Sequence, residues 1–132
     1  MLQQTQVKTV MPYFVKFAKE FQNLNALSKA SEKEILKLWE GLGYYRRAKN
    51  LLATSRILVK KYNSKLPREL DEIKTLPGVG DYTSNVLAAL IYNHPTLALD
   101  GNVKRVISRI LNMEVTKIDF KVFKEINKKK NF

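Results

Sequence analysis

Cysteine is absent from the 132-residue sequence. The chain therefore forms no disulfide and supplies no thiolate ligand to a zinc ion or an iron–sulfur cluster. No stretch approaches the roughly 18 consecutive apolar residues that a membrane span requires. The first residues form neither a basic leader nor an apolar segment typical of a secretion signal. These absences predict a soluble cytoplasmic protein that does not contact a membrane.

Acidic residues are scarce, with 12 Asp and Glu against 24 Lys and Arg, which gives a net charge of +12 at pH 7. Such an imbalance favours a polyanionic partner, and charge alone does not separate nucleic acid from an anionic surface. Because 45% of the residues are hydrophobic, the chain has enough apolar side chains for one core. We therefore expect a single domain over residues 1–132.

Apolar residues recur at helical spacing through most of the sequence, and no useful strand pattern or internal repeat is present. The first predicted helix follows the apolar residues from Val7 to Phe21, with Pro12 as a kink or boundary inside it. Ser31 and Glu34 form a capping-box pattern that predicts the start of another helix. Further helices are predicted over residues 44–62, 69–76, 81–91, 103–111 and 120–129. The sequence predicts an all-α fold.

Two of these helices flank residues 76–80, Leu-Pro-Gly-Val-Gly. Gly78 and Gly80 permit backbone conformations closed to other residues and leave their N–H groups unobstructed. A phosphate oxygen could accept from those groups at the positive end of the following helix, which Asp81 can cap. An ordinary turn between helices is the alternative. The basic charge favours a helix-hairpin-helix site for the DNA backbone over about residues 69–92.

Asp100 begins the run Asp-Gly-Asn-Val-Lys-Arg, about twenty residues after the hairpin. This run is typical of a turn, and Asp is a good cap for a helix beginning near Val103. The alternative is catalytic, because Asn102, Lys104 and Arg105 could anchor a phosphate beside the carboxylate. A carboxylate stabilises the positive charge that develops on a sugar when its bond to a base breaks. No second acid has a comparable setting.

Four motifs occur in order: residues 1–7 (Met-Leu-Gln-Gln-Thr-Gln-Val), 39–45 (Trp-Glu-Gly-Leu-Gly-Tyr-Tyr), 76–83 (Leu-Pro-Gly-Val-Gly-Asp-Tyr-Thr) and 99–105 (Leu-Asp-Gly-Asn-Val-Lys-Arg). Together they resemble the A/G-specific adenine DNA glycosylases of the helix-hairpin-helix superfamily. The resemblance implies the six-helix glycosylase module without its iron–sulfur domain. It also implies base excision repair, in which adenine mispaired with guanine or 8-oxoguanine in double-stranded DNA is flipped out and removed. A monomer is expected, associated with the nucleoid if the source is bacterial.

The resemblance assigns roles by position. Asp100 matches the catalytic aspartate, and Asn102 matches an asparagine beside it. Two residues of the first motif would probe the mispair, and two of the second would fill the base stack. With the hairpin and the basic residues after Asp100, the implied DNA-binding set is Gln4, Thr5, Leu42, Tyr44, Gly78, Val79, Gly80, Lys104 and Arg105.

Tyr82 separates two branches of the superfamily. In the related glycosylases of the endonuclease III type, a lysine at this position attacks the sugar and forms a Schiff base, which tyrosine cannot do. The resemblance therefore implies a monofunctional enzyme without strand-cleaving activity. It further implies a monovalent cation held by the backbone carbonyls of Lys74, Leu76 and Val79.

Some parts of the family pattern lie outside this sequence. The family's general-acid glutamate falls two residues before the position of Met1. The four-cysteine iron–sulfur module and the domain that recognises 8-oxoguanine also have no counterpart here. The alternative interpretation is therefore a catalytically impaired DNA-binding remnant, and a third is an unstable remnant without function.

Overall fold

The computed structural model describes residues 1–96, 98–119 and 121–122. Within these residues the regular structure is entirely helical, which confirms the all-α prediction. The helices are α1 (Val7–Glu20), α2 (Leu24–Lys29), α3 (Glu32–Trp39), α4 (Arg46–Tyr62), α5 (Leu70–Lys74), α6 (Asp81–Tyr92) and α7 (Gly101–Leu111), followed by the 3₁₀ turn η1 (Val115–Lys117). The helix predicted over residues 120–129 lies outside the described residues except at positions 121 and 122.

The chain divides into two compact units, Met1–Val79 and the residues from Gly80 onward. Each is described by itself below. The single domain therefore stays a prediction.

The first unit is organised around an apolar cluster. Trp39 is 1% exposed, and its ring meets that of Phe17 edge-on at a centroid distance of 6.3 Å. α4 packs against α2 and α3, and α1 packs against α3. The buried members of the cluster are Val10, Phe17, Leu27, Ala30, Ile35, Trp39, Leu42, Ala48 and Leu52. Burial of this much apolar surface is the main favourable contribution to the folding of this unit.

Local signals set the helix boundaries in the first unit. The capping box is confirmed, since Ser31 Oγ accepts from the Glu34 N–H at 3.2 Å and Glu34 Oε2 accepts from the Ser31 N–H at 2.7 Å. Pro12 lies inside α1 and is not a boundary. The short helix α2, which periodicity does not predict, is capped by Asn23, whose side chain accepts from the Ala26 N–H at 2.9 Å. Six residues are too few to establish a helical repeat in the sequence.

The second unit buries smaller and more polar side chains. Ser84, Asn85, Ala88, Ser108 and Ile118 are buried. The helices of this unit also carry strongly exposed apolar residues. These are Leu90, Ile91, Val106 and Ile110.

The start of α6 corrects one expectation. Gly80, not Asp81, is the N-cap residue, and Asp81 is the first residue of the helix. The Asp81 carbonyl accepts from Asn85 Nδ2 at 2.6 Å. The Thr96 hydroxyl in turn contacts Asn85 Oδ1. This buried amide therefore connects the first turn of α6 to the segment that leads to Asp100.

Candidate DNA interface and active site

Two segments of the first unit, residues 1–5 and 42–45, are called the mispair segments below. The family resemblance assigns Gln4 and Thr5 of the first to the mispair and Tyr44 of the second to filling the base stack. Gln4 lies in an exposed turn before α1, and Tyr44 lies between α3 and α4 with its side chain 63% exposed. Both have left-handed backbones, with φ of 56° and 49°. Residues other than glycine seldom adopt this conformation, and such strain is concentrated at functional sites. Thr5, half-buried, follows in the same turn, and its hydroxyl donates to the Gln3 carbonyl at 3.4 Å.

Arg47 joins these two segments. Its guanidinium donates to the Met1 carbonyl at 2.7 Å, to the Gln3 carbonyl, and to the Gly43 carbonyl at 3.3 Å. The Met1 amino group also interacts electrostatically with this positive charge. Burial lowers the pKa of that amino group, and the positive charge of Arg47 lowers it further.

Leu42 does not fit its expected role. Its side chain is 6% exposed and belongs to the apolar cluster of the first unit. A side chain packed in the core has almost no surface to offer to a base stack. Of the two residues, only Tyr44 has an exposed side chain, and its role in the base stack stays a prediction.

The first half of the hairpin requires glycine at one position. Gly78 has φ of +75°, and a Cβ placed there would lie 3.0 Å from Cβ and Cγ of Asn50 and would also overlap its Nδ2. The Val79 N–H donates to the Leu76 carbonyl at 3.1 Å, and the Thr54 hydroxyl donates to the Pro77 carbonyl at 3.2 Å. The turn is therefore fixed by its own backbone and by two side chains of α4.

Gly80 differs from Gly78. Its φ of −96° is accessible to any residue, and a Cβ added there would meet nothing within 4 Å. The expected special conformation is thus found at Gly78 and is wrong for Gly80. The open space leaves room beside the first turn of α6, whose N–H groups form the positive end of a 12-residue helix. Tyr82, in that turn, is 49% exposed.

Asp100 is the N-cap residue of α7, which confirms the prediction that it caps the helix that follows it. Its Oδ1 accepts from the Val103 N–H at 2.7 Å, and its Oδ2 accepts from Asn102 Nδ2 at 3.3 Å. The hydrogen bond from the Val103 backbone lowers the pKa of the Asp100 carboxyl, with smaller contributions from Asn102 and Arg105. The carboxylate is therefore ionised at neutral pH. Capping and catalysis are compatible, since both use the ionised form.

The residues around Asp100 form a local polar cluster. Arg105 Nη2 donates to Asn102 Oδ1, so Asn102 links the arginine to the carboxylate. The Lys104 N–H donates to the Asp100 carbonyl at 2.9 Å. Asn102 and Arg105 are exposed, and Lys104 is half-buried. This cluster places the Arg105 guanidinium near a fixed negative charge.

A family model described as an HhH-GPD superfamily base excision DNA repair protein matches residues 1–131. The chain belongs to this superfamily. It is 46% identical over 115 residues to an adenine DNA glycosylase of Buchnera aphidicola subsp. Baizongia pistaciae, covering 87% of this chain and 33% of that protein. It is also 40% identical over 111 residues to the adenine DNA glycosylase of Homo sapiens, covering 83% of this chain and 20% of the human protein. The chain thus spans a third or less of the length of these relatives.

Solved structures of DNA glycosylases resemble this fold. A thermostable thymine-DNA glycosylase matches with a TM-score of 0.79 at 26% identity, covering 91% of this chain and 56% of that one. A trapped endonuclease III–DNA covalent intermediate matches with a TM-score of 0.72 at 27% identity, covering 80% of this chain and 50% of that one. These matches confirm the helix-hairpin-helix glycosylase fold.

The residues present limit which cofactors this chain can hold. An iron–sulfur cluster needs cysteine ligands, and the sequence has none, so this chain does not ligate one. Within the described ranges, no group of three or more His, Asp or Glu side chains could hold a metal ion. The carbonyls of Lys74, Leu76 and Val79 have oxygen chemistry that suits a monovalent cation, and a carbonyl that accepts one hydrogen bond keeps a second lone pair. No described helix is both long and apolar enough to cross a membrane.

Sequence reasoning missed three residues that build the candidate sites. They are Arg47, which joins the two mispair segments, Asn50, which packs against Gly78, and Asn85, which anchors the loop before Asp100. Arg47 lies four residues after Gly43, one helical turn, and this spacing was the single local signal. Its hydrogen bonds to the Gln3 and Met1 carbonyls span 44 and 46 residues of sequence.

Proposed function

We propose that this chain is the helix-hairpin-helix catalytic module of an adenine DNA glycosylase, which removes adenine mispaired with guanine or 8-oxoguanine during base excision repair. The observation that carries the proposal is the Asp100 carboxylate. It is held ionised at a helix N-terminus beside Asn102 and Arg105, in a chain 46% identical to an adenine DNA glycosylase.

The chemistry of the proposal follows from that carboxylate. As the bond between the sugar and adenine lengthens, positive charge grows on the sugar ring. The Asp100 carboxylate stabilises this charge, and water then attacks the sugar. Asn102 keeps the carboxylate oriented. Protonation of the departing adenine requires an acid, which the family resemblance places two residues before Met1.

The remaining candidate residues supply binding. The backbone around Gly78 and the first turn of α6 bind phosphate oxygens, Gln4 and Thr5 contact the mispair, and Tyr44 fills the space left by the flipped adenine. The two basic residues of the Asp100 cluster bind a nearby phosphate. Tyr82 offers no amine, so the proposed enzyme is monofunctional and leaves the DNA strand intact.

Single-turnover release of adenine tests the chemical step. The substrate is a duplex with one adenine opposite 8-oxoguanine, and binding is followed on the same duplex. Asp100→Asn should reduce release at least about 100-fold, the cost of one removed electrostatic contact to a transition state. Binding should change little, because asparagine is an equally good helix cap.

The matched control is Asp119→Asn. Asp119 Oδ1 accepts from the N–H groups of Lys121 and Val122, both at 2.9 Å, so it is a second turn-forming aspartate of the same unit. Release by this variant should equal that of the wild type. Equal loss of binding and release in Asp100→Asn would make Asp100 structural. Binding without release by the wild type would instead favour the DNA-binding remnant.

A further inference from the structure

Arg47 contacts the two mispair segments at equivalent points of their backbones. The Gln3 carbonyl, which accepts from Nη1, belongs to the peptide group directly before Gln4. The Gly43 carbonyl, which accepts from Nη2 at 3.3 Å, belongs to the peptide group directly before Tyr44. These peptide groups set φ of Gln4 and of Tyr44, the two residues of these segments with left-handed backbones that are not glycine. One side chain therefore fixes both unusual conformations.

The guanidinium also lies against two aromatic rings. Its central carbon is 5.6 Å from the centroid of the buried Trp39 ring and 5.2 Å from that of the exposed Tyr44 ring. Trp39 Nε1 donates to the same Gly43 carbonyl at 3.1 Å. The arginine thus connects the buried cluster of the first unit to the exposed Tyr44 ring.

Only a planar fork of donors satisfies this geometry. A lysine carries the same charge at a single nitrogen, so it cannot reach carbonyls of both segments and stack on two rings at once. Arg47 Nε is buried without a hydrogen-bond partner. An unsatisfied buried donor lowers the stability of the folded state.

We infer that Arg47 is a positioning residue for mispair recognition. It holds Gln4 and Tyr44 in their left-handed conformations, so that both meet the same base pair as a preformed unit. Arg47 itself acts through these two residues. The inference rests on the proposed function and adds to it the element that makes recognition selective.

The test compares two arginines of α4 that bind backbone carbonyls in the same way. Arg56 Nε donates to the Ser28 carbonyl at 3.1 Å, and its Nη2 donates to the Ala30 carbonyl at 2.9 Å, at the end of α2. These hydrogen bonds of Arg56 go to carbonyls at the end of α2, away in sequence from Gln4 and Tyr44, so Arg56→Lys is the matched control for Arg47→Lys. For each variant of the 132-residue chain, the dissociation constant is measured for a duplex with adenine opposite 8-oxoguanine and for the same duplex with adenine opposite thymine.

The ratio of these two constants is the selectivity. Arg47→Lys should lower it about tenfold, which corresponds to the loss of about 1.4 kcal/mol, while affinity for the matched duplex changes less than about twofold because charge is retained. Arg56→Lys should keep the wild-type ratio, although it too lowers the free energy of unfolding. An unchanged ratio in Arg47→Lys, or an equal loss in Arg56→Lys, overturns the inference. Arg47→Gln, which keeps two N–H donors, replaces the lysine variant if that one does not fold, and failure of both to fold also overturns it.

Backbone order parameters at Gln4 and Tyr44, measured by NMR in the absence of DNA, separate the inference from the proposed function. Arg47→Lys should lower both, and Arg56→Lys should lower neither. If the wild type does not distinguish the two duplexes, the proposed function fails, and the order parameters alone then decide whether Arg47 positions these residues.

Discussion

The two units of the chain are stabilised in different ways. In the first, large apolar side chains such as Ile35, Trp39 and Ile73 are almost completely buried. In the second, the buried side chains include Ser84 and Asn85, whereas Leu90 and Ile110 are more than 70% exposed. The stabilising free energy of apolar burial grows with the surface area removed from water, whereas that of a hydrogen bond depends on one specific partner. The first unit therefore tolerates little loss of volume, and the second depends on individual polar contacts.

Core truncation should give the largest difference between the units. Trp39→Ala removes a fully buried indole and should lower the free energy of unfolding by about 3–5 kcal/mol. Leu90→Ala, at a residue 77% exposed, should change it by less than about 0.5 kcal/mol. Urea denaturation of both variants measures the two values. Similar losses would show that Leu90 is covered in solution and would remove the contrast.

The two hairpin glycines extend the comparison, since Gly78 belongs to the first unit and Gly80 to the second. Gly78→Ala places a side chain in a left-handed conformation, which costs about 1–2 kcal/mol, and forces it against Asn50. Gly80→Ala meets open space at an ordinary φ and should change stability by less than about 0.5 kcal/mol.

Thermal unfolding and binding of a matched duplex are measured for both glycine variants. Gly78→Ala should weaken both stability and binding. Gly80→Ala should leave stability unchanged, and a loss of binding without a loss of stability in this variant would mean that a phosphate occupies the open space. If Gly78→Ala is as stable as the wild type, the hairpin does not need its left-handed turn.

Local signals made much of this fold predictable. The Ser31 capping box and the apolar repeat of α4 place helices within a few residues of their observed bounds, because both act over one or two turns. The identity of Asp100 as a cap followed from the same kind of information. What could not be predicted depends on residues far apart in sequence.

Leu42 and Tyr44 illustrate that limit. Both are apolar residues of one motif, yet the first is buried and the second exposed, because the turn between α3 and α4 points them to different surroundings. Likewise, Gly78 and Gly80 have the same chemistry, and only the position of Asn50 shows which of them must be glycine. The role of Arg47 could not be predicted, since its carbonyl partners at Met1 and Gln3 are far from α4 in sequence.

The pH dependence of the helix caps should be the same in the two units, and its effect on the free energy of unfolding should be the smallest of the predicted effects. Hydrogen bonds lower the pKa of Glu34 in the capping box of the first unit, chiefly from the Ser31 side chain, and that of Asp100 in the second, chiefly from the Val103 backbone. A carboxyl whose pKa is lowered on folding stabilises the protein above its unfolded value of about 4, and this contribution is lost as the pH falls through the folded pKa. Glu34→Gln and Asp100→Asn keep capping groups that do not titrate.

The difference in the free energy of unfolding between the wild type and each variant should therefore be constant above about pH 5 and shrink on acidification. Urea denaturation from pH 3 to 7 measures both curves, and a pH dependence confined to Asp100 would mean that its carboxylate interacts with more than its own helix.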